Sequence, residues 1–168
     1  MKKMSYISLS VLVILLASKL SSSFTNVSPF IATIIFSVYL LKDKYHLLFM
    51  IFISQALSDI IYGVHISNIF VYLSYALIVL FLYKSKKEIN LFNSLVSSIY
   101  VNGIFFTVSN LGHYIFFSES YTIAALFMSY VKAVPLGWNL MLSTVLFICV
   151  YHVLLAVNKK RLVKALSR

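Results

Sequence analysis

Long apolar runs separated by short polar connections fill this chain, and the basic residues fall on every second connection. Cytoplasmic loops of multi-pass membrane proteins collect Lys and Arg, whereas loops on the other side of the membrane do not. The pattern therefore predicts a chain threaded repeatedly through a membrane, with both termini and the basic connections in the cytoplasm. Twelve of the fourteen Lys and Arg residues lie in four clusters: Lys2–Lys3, Lys42 with Lys44, Lys84 with Lys86–Lys87, and Lys159–Arg168.

The composition supports this class. The chain is 61% hydrophobic and 11% charged, with a mean hydropathy of +0.96, whereas about a quarter of the residues of a soluble domain are charged. In hydrocarbon only helices and closed barrels satisfy every backbone N–H and C=O group. The apolar runs are continuous and do not alternate at period two, which favours helices. We expect an all-α integral membrane protein with a single membrane domain over residues 1–168.

The runs predict a bundle of six transmembrane helices, at about residues 5–20, 29–41, 45–62, 69–83, 91–108 and 136–157. The first run also resembles a signal peptide, whose cleavage would leave five spans. The later apolar runs favour an uncleaved helix. The region 121–157 is too long for one span, and Pro135 removes a helical hydrogen bond. We therefore predict a short outer or re-entrant helix at 121–134, after an outer loop at 109–120.

Polar side chains inside the spans mark candidate functional positions, because burying them in hydrocarbon is costly. Asp59 is the only acid within a span, and Gln55 lies one helical turn before it on the same face. Asp59 would contact a ligand or cation inside the bundle. The alternatives are a structural partner for Lys132, a helix-end acid near water, or a hydrogen-bonded packing residue.

Small polar residues form stripes along three other spans. Residues of this kind commonly make helix–helix contacts. Packing is the favoured interpretation for Thr33 with Ser37 and for Asn139 with Ser143. The stripe in the fifth span would form either a packing surface or a wall facing a ligand, with Asn102 favouring the wall; it consists of Ser94, Ser98, Asn102 and Ser109.

The predicted outer connections carry further polar and aromatic groups, among them Trp138, which also suits the interfacial aromatic belt. If spans three, five and six pack together, these groups would lie above Asp59 as a pocket open to the outside. Lys132 would snorkel to the outer surface, pair with Asp59 or Glu119, or bind an anionic group. We expect a ligand site lined by Asn26, Asp59, Asn102, Asn110 and His113.

Other classes of function receive little support. The sequence has no HExxH motif, no Cys/His metal spacing and no Gly-rich phosphate loop, and its histidines fall at opposite predicted ends of the spans. We expect no enzymatic activity, no metal and no cofactor. The basic residues are spread over four segments, which favours contact with membrane lipid over nucleic acid. Cys149 is expected to be a small buried apolar residue.

Two stretches carry short motifs. The first has Asn26-Val27-Ser28-Pro29-Phe30-Ile31-Ala32 and, further along, Leu57-Ser58-Asp59-Ile60-Ile61-Tyr62-Gly63. The second has Ser109-Asn110-Leu111-Gly112, then Tyr121-Thr122, then Tyr130-Val131-Lys132-Ala133-Val134-Pro135. Together, over residues 24–157, they resemble a small bacterial membrane family of unknown function. That family looks akin to the S components, the substrate-binding subunits of energy-coupling-factor (ECF) vitamin transporters.

The resemblance implies an S-component-like bundle in the bacterial cytoplasmic membrane, with its ligand site near the outer face, under the loops joining helices 1–2 and 5–6. It also implies docking to a transmembrane coupling subunit with ATPases, through small residues spaced by four in the first helix. Here those pairs are Ala17 with Ser21 and Ser18 with Ser22.

From both lines of reasoning we expect a protein that binds a small vitamin-like or nucleobase-like molecule at the outer face and takes it up. One alternative is a non-transport membrane scaffold resembling the rod-shape-determining six-span proteins, in which the polar stripes would contact partners. Another is a proton-coupled carrier acting alone, with Asp59 as its proton site.

Overall fold

The computed structural model describes the backbone of residues 2–20, 27–85 and 88–166, and the side chains of residues 6–20, 27–85 and 88–157. These residues form helices and no strand, which confirms the all-α prediction. Six helices lie within the described residues: α1 (Lys2–Leu20), α2 (Phe30–Leu40), α3 (Lys44–Tyr62), α4 (Asn68–Lys84), α5 (Leu91–Phe117) and α6 (Ile123–Leu166).

The first four helices lie close to the predicted spans because local signals set their limits. The Asp43 side chain accepts a hydrogen bond of 2.9 Å from the Tyr45 N–H and so caps the start of α3. Gly63 ends the same helix with a φ of 109°, a conformation that costs a glycine little and other residues more. The connections on either side of α3 are therefore short turns.

Helix α2 forms the centre of the bundle. It contacts each of the other five helices, while α1 packs on α3, α3 on α4, α4 on α5, and α5 on α6. Every residue from Phe30 to Val38 is buried. At 1.5 Å per residue α2 is only about 16 Å long, but a helix enclosed by protein does not have to match the thickness of a membrane.

Contacts between helix ends define two ends of the bundle. The Tyr83 hydroxyl, at the end of α4, donates to the Leu41 carbonyl at 3.0 Å, which places the connection after α2 beside the end of α4. We call this the basic end, since Lys42, Lys44 and Lys84 lie there. At the opposite end, the Tyr62 hydroxyl of α3 donates to the Leu20 carbonyl of α1 at 2.7 Å.

Polar side chains join the start of α2 to α6. The Ser143 hydroxyl accepts from the Ser28 N–H and donates to the Ser28 carbonyl, both at 2.9 Å. Thr33 and Tyr151 share a hydrogen bond of 2.7 Å between their hydroxyls. These contacts confirm the packing role predicted for Thr33 and Ser143.

Helix α5 is longer than its predicted span and includes most of the region predicted as an outer loop at 109–120. The polar side chains there are satisfied within the helix: Ser109 donates to the Phe105 carbonyl at 2.6 Å, and Asn110 donates to the Phe106 carbonyl at 2.7 Å. Gly112 allows a close approach of Phe70 from α4. The helix therefore continues to Phe117 before the chain turns.

Helix α6 differs from the prediction of a helix at 121–134 followed by a break at Pro135. The structure has one helix from Ile123 to Leu166 with Pro135 inside it. Proline costs a helix one backbone hydrogen bond, but neighbouring helices and local adjustment make this tolerable in long apolar helices. Here α5 packs against α6 before and after the proline: Tyr130 donates to the Thr107 carbonyl at 2.8 Å, and Phe106 contacts Gly137.

Three helical segments of the described chain are long and apolar enough to cross a membrane. They are Lys44–Tyr62, Leu91–Phe117 and Ile123–Val157, whereas Tyr6–Leu20, Phe30–Leu40 and Asn68–Lys84 are apolar but shorter. The coarse prediction of a helical protein with membrane-spanning segments therefore agrees with the structure. Cys149, which was expected to be buried, is exposed on α6.

Candidate functional site

Charged and polar side chains, three of them buried and two half-buried, meet where the last turn of α1, the last turns of α3 and the first turns of α4 converge. We call this group the Lys19–Asp59 cluster; it consists of Lys19, Gln55, Asp59, Tyr72 and Tyr75. The elements that carry it share the end of the bundle opposite the basic end. The N-terminus of α2 approaches it through the Phe30 ring.

The carboxylate of Asp59 is held on both oxygens. Gln55 Nε2 donates to Oδ1 at 2.6 Å, and the Tyr72 hydroxyl donates to Oδ2 at 2.9 Å. Gln55 and Asp59 are four residues apart, so they lie on one face of α3. Asp59 is only 7% exposed, and such a carboxylate needs donors or a cation to offset its lost hydration.

The ammonium group of Lys19 lies in an aromatic corner. Its Nζ donates to the Tyr75 hydroxyl at 2.8 Å, and it lies 4.4 Å from the centre of the Phe30 ring and 5.2 Å from that of Tyr75. Ring faces attract cations at these distances. The negative charge of Asp59 also attracts Lys19, so the cluster contains two opposite charges that compensate each other.

Aromatic rings form the wall behind these charges. Tyr75 lies in the middle, 5.1 Å from Phe30 and stacked on Phe105 at 5.5 Å between ring centres. Phe52 meets the ring of Tyr72 edge to face at 5.2 Å. Because Phe105 lies near the middle of α5, the Lys19 side of the cluster is deep within the bundle.

One polar atom of the cluster has no partner. The Oε1 atom of Gln55 is buried and accepts no hydrogen bond from any part of the chain that the structure describes, while its Nε2 is engaged by Asp59. Leaving a buried acceptor unsatisfied costs about 1–3 kcal/mol. The cluster therefore offers an acceptor, next to two charges and an aromatic wall, to a molecule that can donate a hydrogen bond.

The predicted site residues do not all come together. Asp59 belongs to the Lys19–Asp59 cluster. Asn102 lies between helices: its Nδ2 donates to the Ser98 carbonyl at 2.8 Å, and its Oδ1 accepts from the Thr144 hydroxyl at 3.4 Å. Asn102 therefore helps to pack α5 against α6.

Two other predicted residues, Asn110 and His113, line cavities that do not include Asp59. Asn110 lines a cavity of about 80 Å³ between α5 and α6. His113 is exposed and lines a different cleft near the end of α5. Asn26 lies outside the described residues. Asn110, His113 and Asp59 therefore lie in three different places: a small cavity, a cleft at the α5–α6 turn, and the Lys19–Asp59 cluster.

Sequence reasoning missed three members of the cluster: Lys19, Tyr72 and Tyr75. A signal for Lys19 was present, because it is a basic residue at the end of an apolar run where positive-inside topology predicts none. Lys132, one predicted partner of Asp59, lies elsewhere and lines the cleft at the α5–α6 turn. Nothing in the sequence distinguishes Tyr72 and Tyr75 from tyrosines of an interfacial aromatic belt.

A family model described as a family of unknown function (DUF6580) matches residues 1–166 of the chain. The chain therefore belongs to that family. No curated protein and no solved structure matches it.

Proposed function

We propose that this protein crosses the bacterial cytoplasmic membrane six times, with both termini and the basic end in the cytoplasm. Three long apolar helices support the proposal. The shorter α1, α2 and α4 would cross in the company of these helices, and α2 is enclosed by protein along most of its length. Partly sheltered helices tolerate a mismatch with the bilayer thickness. On this topology the Lys19–Asp59 cluster lies in the outer half of the bundle.

We further propose that the cluster binds a small vitamin-like or nucleobase-like molecule from the outer face, and that the protein takes this molecule up. The observation that carries the proposal is the buried Asp59 and the half-buried Lys19 beside the Gln55 side-chain oxygen, which accepts no hydrogen bond from the residues that the structure describes. Ionisable groups at membrane depth are rare and mark ligand or ion pathways. The carbonyl oxygen would accept an N–H or O–H group of the ligand.

The aromatic wall favours a planar ligand. Phe30, Tyr75 and Phe105 present neighbouring rings beside the ammonium group of Lys19. Heteroaromatic molecules bind such walls by stacking and carry the polar edges that charged and amide groups recognise. This combination is typical of a site for a base-like or vitamin-like compound, and it agrees with the resemblance to S components.

The scaffold alternative receives less support. It requires the polar stripes to face partner proteins, but their members bond within the bundle: Ser143 with Ser28, Asn102 with Thr144, and Ser94 with His152 at 3.0 Å. A stripe used for internal packing leaves few groups for a partner.

A coupling subunit with ATPases remains part of the uptake proposal. Of the two small-residue pairs that would meet such a subunit, Ala17 is exposed, whereas Ser18 is buried.

The test is a thermal-shift screen of the detergent-purified protein against vitamins and nucleobases. A ligand at a hundred times its dissociation constant adds about 2.7 kcal/mol of stability, which raises the melting temperature of a chain of this size by about 5–10 °C. If no compound of these classes shifts the melting temperature, the proposed ligand class is wrong. A compound that does so is then tested for uptake into cells producing the protein.

Asp59→Asn is the decisive variant for a compound that shifts the melting temperature. The substitution removes the negative charge that balances Lys19. The new amide N–H would also bond the Gln55 oxygen, so the ligand should lose its hydrogen bond to that oxygen. The shift should disappear in Asp59→Asn and fall in Tyr72→Phe, which removes only one hydroxyl. The control Glu88→Gln makes the same charge change at an exposed position of the basic end and should keep the full shift.

A further inference from the structure

A second candidate site lies where α5 turns into α6. A cleft of about 370 Å³ opens there, a volume within the range of small-molecule sites. Its lining includes His113 from α5, Glu119 from the connection, and Met128, Ser129 and Lys132 from one face of α6. It shares no lining residue with the Lys19–Asp59 cluster, so its function is a separate question.

Two opposite charges line this cleft. Lys132 and Glu119 are both exposed, and no ion pair joins them in the described part of the chain. The fold thus places a cation and an anion on one concave surface, with no ion pair between them among the described residues. A surface of this kind is complementary to a ligand that carries both charges, whereas a singly charged ligand would meet one group of like charge.

The cleft also offers uncharged polar atoms. The Ser129 hydroxyl oxygen is buried and has no hydrogen-bond partner among the residues that the structure describes. A hydroxyl both donates and accepts, so it can bond either end of a polar ligand. The ring of His113 lies exposed beside Phe117, with 5.2 Å between ring centres, and adds a further polar edge.

The frame of the cleft is held in place by hydrogen bonds to its backbone. Ser118 donates to the Ser120 carbonyl at 2.6 Å, and the Tyr121 hydroxyl donates to the Ile115 carbonyl at 3.0 Å. The Thr122 hydroxyl accepts from the Ala125 N–H at 3.1 Å and caps the start of α6. A frame that is ordered before binding lowers the entropic cost of holding a ligand.

We propose that this cleft binds a small zwitterion, with Lys132 facing its acidic group, Glu119 facing its ammonium group, and Ser129 bonding one of the two. Two sources have this chemistry: a free amino acid and the phosphoethanolamine headgroup of a lipid. Both can reach the cleft, because it lies at the exposed end of the α5–α6 hairpin. The proposal does not depend on what the Lys19–Asp59 cluster binds.

The first arm of the test measures binding of the standard free amino acids and of O-phosphoethanolamine to the detergent-purified full-length protein by isothermal titration calorimetry. At least one of them should bind. For an amino acid, the methyl ester and the N-acetyl derivative each lack one charge and should bind about fivefold more weakly, as expected for loss of one solvent-exposed ion pair. For O-phosphoethanolamine only the N-acetyl derivative is compared, because its methyl ester keeps a negative charge. Equal affinity for the zwitterion and either derivative would overturn the proposal.

The second arm uses variants of exposed side chains, which should leave the fold intact. Lys132→Met and Glu119→Gln should each weaken binding about fivefold, and Lys132→Met should abolish the preference for the zwitterion over its methyl ester. Lys84→Met, at the basic end, should bind like the wild type. Asp59→Asn should also keep zwitterion binding, so a failure of the proposed vitamin-like site does not affect this result.

The third arm identifies a lipid source by native mass spectrometry of protein released from nanodiscs. If the zwitterion is a headgroup, phosphatidylethanolamine should be retained in preference to phosphatidylglycerol, and Lys132→Met should remove this preference. The proposal is overturned if no free amino acid, no O-phosphoethanolamine and no phosphatidylethanolamine binds. Binding that is unchanged in both Lys132→Met and Glu119→Gln would also overturn it.

Discussion

Replacing Gly112 by alanine should force α4 and α5 apart. A Cβ atom built on Gly112 would lie 2.5 Å from Cγ and 2.8 Å from Cδ2 of Phe70, and closer still to its Cβ. The Phe70 Cβ is fixed to the backbone, so a rotamer change cannot clear it. Gly103, on the same helix, provides a matched control, because a Cβ there would meet no atom within 4 Å.

The expected magnitudes follow from this geometry. Overpacking a well-filled contact costs about 1–3 kcal/mol, while replacing glycine by alanine inside a helix gains up to about 1 kcal/mol. Gly112→Ala should therefore lower the free energy of unfolding by up to about 2 kcal/mol after the helical gain is subtracted, and Gly103→Ala should leave it unchanged or raise it by up to about 1 kcal/mol. At about 2–4 °C per kcal/mol, the melting temperatures of the two variants should differ by several degrees.

The assay is thermal unfolding of the detergent-purified variants, followed by light scattering and circular dichroism. A double-mutant cycle assigns the cause: a Phe70→Gly background removes the Cβ as well as the ring, so the clash is absent and the added cost of Gly112→Ala should fall close to zero. Equal melting temperatures for Gly112→Ala and Gly103→Ala would refute the close α4–α5 contact. So would an unchanged cost of Gly112→Ala in the Phe70→Gly background.

Two further variants test the packing of α6 by the same thermal assay. Ser143→Ala leaves the N–H and carbonyl of Ser28 without that partner and should cost about 2–4 kcal/mol; the control Ser37→Ala loses only a bond to the Thr33 carbonyl of its own helix and should cost much less. Equal costs would contradict the Ser28–Ser143 contact. Pro135→Ala restores a donor for the Val131 carbonyl inside a continuous helix, so helicity and melting temperature should stay the same or rise, whereas a clear fall would indicate that the proline separates two helices.

The first four helices could be predicted from the sequence because their limits are local. Apolar runs end at residues such as Asp43 and Gly63, whose capping or backbone preference is visible in the sequence. The end of α5 could not be predicted in this way. Ser109, Asn110 and Gly112 together are typical of a loop, but in the structure the two polar side chains bond the preceding turn and Gly112 packs against Phe70 within a continuous helix.

Part of the candidate site was also predictable from local spacing. Gln55 and Asp59 form a pair four residues apart, so their contact follows from helical spacing alone. Lys19 meets Tyr75 across 56 residues of sequence, and Asn102 meets Thr144 across 42. Neither contact follows from spacing, which is why Asn102 was expected to face a ligand and Lys19 was not expected in the site.

The most direct test of the account is the sidedness of the bundle in intact cells. In a Cys149→Ser background, single cysteines would replace Ser85, beside the basic end, and Ser120, at the α5–α6 turn. Both positions are exposed. A membrane-impermeant thiol reagent should label the cysteine at 120 in intact cells and the one at 85 only after the cells are permeabilised. Labelling of the cysteine at 85 in intact cells would contradict the proposed topology and the entry of any ligand from the outer face.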